Sequence, residues 1–294
     1  MTNTSLQHID VQKWDTHFTT DLQNLATKSL EEGKVLYFPT LSFELEESEK
    51  KLLSPDIVDP KSKNISYDIK SHTLSGVSCN GEELEILKAM IHRFAVSSRK
   101  LLDALIPHYE NTLIQAKTSF RPVEIAGRKS SWRKDDTRLH VDSFPSNPVQ
   151  GQRILRFFTN INPEGKPRVW RVGEPFSDVV QKMAPRVSHP VFGVNYLLNM
   201  LGITKKLRSP YDHYMLQLHD AMKADMQYQK DVPQEEILFP AGSSWAVFTD
   251  QVSHAAMSGQ HVLEQTYYLP PGGLKHPEAA PLAVLESYYK KRML

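Results

Sequence analysis

The hydrophobic pattern divides this chain of 294 residues into a helical first part and a strand-rich second part. Residues 15–32 carry apolar side chains at helical spacing and are followed by Gly33, which predicts an amphipathic helix. Residues 82–109 carry a longer apolar stripe, which predicts a second helix. Between them, the apolar run 35–39 favours a strand, and the polar residues 46–81 predict an irregular surface excursion.

From residue 119 onward, short apolar runs alternate with turns rich in Pro, Gly and Asn, which is typical of strands. The predicted strands are 119–126, 137–142, 153–161, 167–172, 236–239, 244–249 and 261–269. A segment with helical spacing, residues 174–231, interrupts them. Several short strands separated by turns favour a sandwich or barrel, so the predicted fold class is α+β.

These patterns predict a single domain over residues 1–294, because no repeat and no linker is visible. Within it, residues 1–118 are expected to support the fold with helices. Residues 119–270 are expected to form the β core with its helical insertion, and residues 271–294 a C-terminal tail.

Composition excludes several classes of protein. A net charge of +1 argues against a nucleic-acid-binding protein, for which a strongly basic domain is expected. The single cysteine excludes an intramolecular disulfide and a cysteine-based zinc site. Residues 1–15 lack the pattern of a signal peptide, and no stretch of 18 apolar residues is present. A cytoplasmic location is therefore expected, and a peripheral position on a membrane remains open.

The pattern that points to chemistry is His140-Val-Asp142, together with His254 much later in the chain. Side chains two residues apart on a strand point to the same face, so His140 and Asp142 can bind one metal ion. A histidine on a distant strand can complete the set. Two histidines and one carboxylate with open positions suit a non-haem Fe(II) oxygenase. The alternative is that these are ordinary structural side chains.

The sequence around these residues resembles the Fe(II)/2-oxoglutarate-dependent dioxygenases. A Pro-Ala-Gly turn at 240–242 leads into a strand and then to His254, in the order found in that family. The resemblance implies a double-stranded β-helix, or jelly-roll, core. It also implies Fe(II) held by His140, Asp142 and His254, with 2-oxoglutarate as co-substrate and O₂ as oxidant.

The chain departs from this family at the co-substrate anchor. The family places Arg or Lys on the strand after the distal histidine, but residues 259–267 contain neither. A carboxylate buried without a partner is costly, so another cation is expected. Arg156 is the candidate, because a guanidinium binds a carboxylate in bidentate fashion. Asn160, His261 and Gln265 could add hydrogen bonds. An ordinary surface ion pair of Arg156 is the alternative.

Basic residues near the predicted site suggest an anionic substrate. Residues 121–138 contain six Lys or Arg against three Asp or Glu, and Arg168 follows on the next predicted strand. The candidate substrate-binding residues are Arg128, Arg133, Arg138 and Arg168. A solvated basic face is the alternative interpretation.

Three longer segments resemble the hydroxylases that act on Kdo (3-deoxy-D-manno-octulosonic acid). They are residues 119–145, 156–163 and 208–223, the last beginning Arg208-Ser-Pro-Tyr-Asp-His-Tyr. The resemblance implies hydroxylation at C3 of Kdo on a Kdo-containing lipid A, a lipid-linked acidic sugar of the lipopolysaccharide inner core. The alternatives are a hydroxylase of a protein side chain or small metabolite, and a jelly-roll protein that binds sugar or metal without catalysis.

A lipid-linked substrate would require contact with the inner membrane. The insertion 174–231 and the tail 283–294 mix apolar, tyrosine and basic residues, as interfacial helices do. Packing against the protein core explains the apolar stripe of the insertion equally well.

Overall fold

In a computed structural model, which describes residues 5–128, 130–191 and 193–294, eleven strands form two sheets. The strands are β1 (Leu6–His8), β2 (Val35–Phe38), β3 (Ile65–Asp68), β4 (Thr73–Ser75), β5 (Ile114–Arg121), β6 (Arg153–Asn160), β7 (Arg168–Val172), β8 (Glu235–Phe239), β9 (Ser244–Phe248), β10 (His254–Ser258) and β11 (Val262–Leu269). The helices are α1 (Thr20–Glu31), α2 (Glu47–Lys50), α3 (Gly81–Leu105), α4 (Phe176–Met183), α5 (Val194–Met200), α6 (Pro210–Ala224), α7 (Met226–Asp231) and α8 (Pro281–Tyr289).

The two sheets face each other across an aromatic core. The large sheet has the order β1-β2-β9-β6-β11-β5-β3-β4 and stays open, and the small sheet has the order β10-β7-β8. Trp245 of the large sheet stacks on Phe239 of the small one, with ring centroids 4.1 Å apart. The ring centroid of Phe158 lies 5.2 Å from that of Trp170 in the small sheet and 5.1 Å from that of Trp245 in its own sheet. The predicted α+β fold with a jelly-roll core is confirmed.

The outer face of the large sheet is covered by helices α1 and α3. Strand alternation turns Leu155 and Phe157 of β6 toward this side, where both are fully buried. They pack in one cluster with Phe94 and Leu101 of α3. This side of the large sheet therefore forms the main structural core, and the opposite side is left for the space between the sheets.

The helical insertion packs on the stretch that carries His140. Leu139 and Val141 are fully buried in a cluster with side chains of α4 and α6. Tail helix α8 joins this cluster through Leu285, and Tyr289 stacks on Tyr214 of α6 with centroids 4.2 Å apart. Much of the predicted tail is thus packed against the insertion. None of the helices in the described part of the chain is long and apolar enough to span a bilayer.

The predicted irregular excursion over residues 46–81 is wrong in part, because it contains α2, β3 and β4. Only Ile65 and Tyr67 mark β3 by apolar alternation, and both are fully buried. Two residues are too short a signal to separate a strand from a loop. The polar side chains around them reflect the position of β3 and β4 at the edge of the large sheet.

Two predicted strands also differ from the structure. β5 begins at Ile114 rather than residue 119 and ends at Arg121. Residues 137–142 form no regular strand, and only an isolated bridge joins His140 to His254. Single backbone hydrogen bonds of Asp136 with Ala256 and of Asp142 with Thr249 also hold this stretch, and its apolar side chains Leu139 and Val141 are buried under the insertion.

Candidate metal centre

Backbone hydrogen bonds bring His140, Asp142 and His254 together. The amide of His140 donates to the carbonyl of His254 at 3.0 Å, and the reverse bond is 2.9 Å. The amide of Asp142 donates to the carbonyl of Thr249 at 2.7 Å. Each of the three side chains has a potential ligand atom, and these atoms all lie within 4.8 Å of one another. Two distant segments therefore meet in a cluster of ligands that one ion can bridge.

Both histidines are oriented and kept neutral by their surroundings. Nδ1 of His140 lies 2.8 Å from the carbonyl oxygen of Arg138, and Nδ1 of His254 lies 2.8 Å from that of Val252. A carbonyl oxygen only accepts, so Nδ1 carries the proton and Nε2 keeps its lone pair. Burial lowers the pKa of His254 and lowers the pKa of His140 to about 3. Neutral imidazoles held in this way are suited to binding a metal.

Asp142 supplies a buried charge that fits a cation. Burial opposes ionisation, but Arg156 and the bond with His140 hold the pKa of Asp142 well below its usual range. Its Oδ2 lies 2.8 Å from Nη2 of Arg156 in an ion pair. The same oxygen is buried, and its contact with Arg156 is an ion pair without the geometry of a hydrogen bond. Two neutral imidazoles and this carboxylate form the donor set that a non-haem Fe(II) site uses.

A cavity of about 200 Å³ opens on the three side chains. Its lining includes four cationic side chains and three carboxylates. The cations are Lys63, Arg121, Arg156 and Arg168, and the carboxylates are those of Asp136, Asp142 and Glu264. A larger cavity of about 820 Å³ lies elsewhere and is lined by none of the three clustered residues. The smaller cavity is therefore the one suited to an anionic ligand beside a metal.

Arg156 lies beside Asp142, at the edge of the ligand cluster. Its side chain is 13% exposed and forms ion pairs with Asp142 and Glu264. Burial alone lowers the pKa of Arg156, but these two carboxylates outweigh burial and raise it. The cation is thus largely balanced by acids that the protein itself supplies.

Arg168 is buried without such a partner. It is 5% exposed, and its Nη1 donates to the carbonyl of Gly259 at 2.7 Å. Its Nε is buried with no hydrogen-bond partner among the described residues. Burial lowers the pKa of Arg168 to about 9, which still leaves it charged at neutral pH. A buried guanidinium in this state favours an anion that enters the cavity.

Comparisons with known proteins agree with this geometry. The sequence profile of a family described as 3-deoxy-D-manno-oct-2-ulosonic acid (Kdo) hydroxylase matches residues 13–292. The chain belongs to this Kdo hydroxylase family. Among curated protein sequences, none matches the chain.

Two similar crystal structures are of the Kdo hydroxylase KdoO, described as a non-haem Fe(II) alpha-ketoglutarate dependent dioxygenase. The complex with alpha-ketoglutarate and Fe(III) is 50% identical, with a TM-score of 0.95, and the match covers 98% of this chain and 97% of that chain. The complex with cobalt(II) is 51% identical, with a TM-score of 0.96 and coverage of 99% and 97%. The predicted enzyme class, an Fe(II)- and 2-oxoglutarate-dependent hydroxylase, is confirmed.

Three of the four residues predicted to bind the co-substrate do not line the cavity. Asn160 donates to the carbonyls of Lys166 and Phe239, both at 3.0 Å, and so holds a turn. His261 adopts a positive φ of 60° and is buried beyond the end of β10. Neither side chain is among those that line the cavity.

Gln265 points away from the metal centre. It pairs in register with Phe157, which faces the structural core under α3. Its amide oxygen accepts from Thr118 at 2.6 Å, and its amide nitrogen donates to the carbonyl of Ala116 at 3.0 Å. Gln265 therefore lies on the core side of β11, outside the cavity lining, and its contact with the co-substrate stays a prediction. Strand alternation places Glu264 on the cavity side instead.

Of the four arginines predicted to bind substrate, Arg168 lines the cavity and the other three do not. Arg133 pairs with Asp220, and the Arg133 side chain is 60% exposed. Arg138 pairs with Asp135 and donates to the carbonyl of Lys223. Arg128 donates to the carbonyl of Lys63 at 3.3 Å. Lys129, which belongs to the same predicted cluster, lies outside the described residues.

Two lysines near the site were not predicted from the sequence. Lys63 lines the cavity and pairs with Asp136, although it stands in the segment interpreted as irregular. Lys223 of α6 is 2% exposed and donates to the carbonyl of Arg133 at 3.0 Å. Burial lowers the pKa of both lysines. The only sequence signal for Lys63 is its position just before the alternating residues of β3.

Proposed function

We propose that this protein hydroxylates C3 of Kdo while the sugar is linked to lipid A. Bound Fe(II), with 2-oxoglutarate and O₂, supplies an oxidant that replaces a C–H hydrogen by hydroxyl, while 2-oxoglutarate yields succinate and CO₂. The observation that carries the proposal is the His140, Asp142 and His254 cluster at the wall of a cavity lined by cations. The chain's membership of the Kdo hydroxylase family gives the sugar.

The three clustered residues are proposed to hold the metal. His140 and His254 would bind through Nε2, because Nδ1 of each is engaged with a backbone carbonyl. Trp170 stacks on His254 with centroids 5.1 Å apart, which restrains the rotation of that ring. Arg156 would balance part of the charge of Asp142. These contacts fix the ligands before metal arrives.

Arg156 and Arg168 are proposed to hold 2-oxoglutarate, which has two carboxylates. The Arg156 guanidinium lies against Asp142 and is already paired, so it suits the end of the co-substrate near the metal. Arg168 has no carboxylate at ion-pair distance among the described residues, so it suits the far carboxylate. This proposal adds Arg168 to the predicted anchor and assigns it a co-substrate role.

The sugar carboxylate is proposed to bind near Lys63, at the part of the cavity formed by the stretch before β3. Lys63 is 37% exposed on its side chain, so a ligand can reach it. Asn64, its neighbour, also lines the cavity. Arg128 would position this stretch through its bond to the Lys63 carbonyl. Arg133 and Arg138 are engaged with aspartates and are left as more distant contributors to the positive field.

A lipid-linked substrate also bears on location. We propose that the protein is cytoplasmic and contacts the cytoplasmic face of the inner membrane peripherally. The exposed apolar and basic residues of the insertion support this contact.

The test is turnover of Kdo-containing lipid A in which both hydrogens at C3 of Kdo are replaced by deuterium. The expected product gains one oxygen and loses one deuterium by mass spectrometry. A His254→Ala variant is the control and should give neither product nor succinate. A product that keeps both deuteriums would disprove the C3 position. Succinate formed only with other acceptors would favour a hydroxylase of a protein or small metabolite.

A further inference from the structure

Exposed apolar side chains are concentrated in one segment of the insertion. Of the fourteen large hydrophobic side chains exposed among the described residues, eight lie within residues 191–207. We call residues 191 and 193–208 the docking segment. Tyr196 and Met200 are 71% and 69% exposed. An apolar cluster of this kind on a soluble protein marks an interaction surface.

Helix α5, inside this segment, has its polar side turned inward. Leu197 and Met200, three residues apart, share an outward face and are 50% and 69% exposed. Asn195 and Asn199 are half-buried, and their side-chain amides donate to the carbonyls of Arg208 and Thr204 at 3.1 Å. A helix on a protein surface that meets only water turns its polar face outward and its apolar face toward the protein. The outward face therefore fits an apolar medium.

The positive charges of the docking segment favour binding to an anionic surface. Lys205 and Lys206 are exposed and form no ion pair with any described residue. With Arg208 they give three cations, and residues 188–209 contain no Asp or Glu. Apolar side chains, an exposed tyrosine and adjacent lysines together are typical of a segment that lies in the interface of an anionic bilayer.

The docking segment lies close to the metal centre. Nη2 of Arg208 donates to the carbonyl of Pro145 at 2.8 Å, and the amide of Lys205 donates to the carbonyl of Ser146 at 2.9 Å. Pro145 follows the metal-centre residue Asp142 by three residues, a chain length of at most about 11 Å. A bilayer surface that binds the docking segment would therefore lie close to the cavity.

We propose that the docking segment inserts into the surface of an anionic bilayer and so presents the cavity to a membrane-borne sugar. This inference rests on the proposed lipid-linked substrate for its purpose, but not for the binding itself. It assigns the membrane contact to α5 and the lysines after it, rather than to the tail helix α8, which is packed against the insertion.

The test is flotation of the full-length protein with vesicles of phosphatidylethanolamine and phosphatidylglycerol, and with vesicles of phosphatidylcholine alone. The double variant Leu197→Asp/Met200→Asp should bind the anionic vesicles at least about tenfold more weakly than the wild type. Lys205→Glu/Lys206→Glu should weaken binding as well and remove the preference for anionic lipid. Leu25→Asp, at a leucine of α1 that is 44% exposed, is the matched control and should bind normally.

Turnover separates membrane binding from catalysis. Both double variants should keep wild-type turnover of a deacylated, water-soluble Kdo glycoside and lose turnover of vesicle-borne Kdo-lipid A. Vesicle binding unchanged in both variants, or absent in the wild type, overturns the inference. So does a wild-type dimer that dissociates when Leu197 and Met200 are replaced. Normal vesicle binding without turnover of either Kdo substrate supports the docking segment and overturns the proposed function instead.

Discussion

The buried guanidinium of Arg168 is a positive charge in the cavity wall that suits an anionic ligand. Arg121 and Arg156 both pair with Glu264, whereas Arg168 is bonded only to a carbonyl in the contacts of the described residues. Removing a charge from water without a counter-charge is unfavourable. Under the proposed function, a carboxylate of 2-oxoglutarate would supply the missing counter-charge, and the relief of this cost would contribute to the affinity for the co-substrate.

We expect Arg168→Met to raise the KM for 2-oxoglutarate by roughly 10- to 100-fold, the loss that fits one charge-assisted contact of about 1.5–3 kcal/mol. The effect on kcat should be smaller, because saturating 2-oxoglutarate restores occupancy of the co-substrate site. The measurement is succinate formation as a function of 2-oxoglutarate concentration. Arg171→Met is the matched control, since Arg171 lies on the other face of β7 and donates to the carbonyl of Thr137. Equal changes in the two variants would rule out a specific role for Arg168.

Among the elements, strand β6 is held in register by a buried ion pair at its start. Arg153 and Asp250 are each 1% exposed, with Nε and Oδ2 2.7 Å apart. Arg153 also donates to the side chain of Gln251 at 2.6 Å and lies over the ring of Phe248. The pair joins β6 to the turn between β9 and β10, and that turn leads directly to His254. The position of a metal-centre residue thus depends on this contact.

Removing one member of this pair should be strongly destabilising. Arg153→Met leaves the buried carboxylate of Asp250 without its cation, and we expect the free energy of unfolding to fall by about 3–5 kcal/mol. Urea denaturation measures the change. Lys28→Met breaks the exposed pair with Glu32, whose atoms are 3.8 Å apart, and should cost less than about 1 kcal/mol. Similar losses in the two variants would show that burial of the pair is unimportant.

At the scale of the whole molecule, the three candidate metal ligands come from distant parts of the chain. His140 lies near the middle of the chain and is covered by the insertion, while His254 opens a strand of the small sheet near the C-terminal end. An ion bound to both would connect these parts in the folded protein only. Metal binding should therefore stabilise the whole fold.

We expect cobalt(II) at about 100 times its Kd to stabilise the protein by roughly 2.7 kcal/mol, which corresponds to a rise in Tm of about 4 °C for a chain of this length. Differential scanning fluorimetry with and without the metal measures the shift. His254→Ala should abolish it. The control His17→Ala replaces an exposed histidine far from the cluster in sequence and should keep the shift. A shift retained in His254→Ala would contradict the proposed ligand set.

The sequence alone determined the features that depend on local spacing. The two-residue spacing of His140 and Asp142 predicts that both side chains lie on one side of an extended stretch, and the long apolar stripe of α3 requires a buried helix. Arg156 could also be predicted to share a face of β6 with Phe158, and both side chains line the cavity. Each of these follows from a period of two or 3.6 residues, which neighbouring residues are sufficient to set.

Tertiary structure decided which of these faces meet. Gln265 and Glu264 are equally plausible in the sequence, but the register of β11 against β6 sends Glu264 to the cavity and Gln265 to the opposite core. Lys63 reaches the cavity only because β3 pairs with β5 at the edge of the sheet. Cross-strand pairing depends on the packing of the whole molecule, since residues far apart in the chain must be buried together, and no local period encodes it.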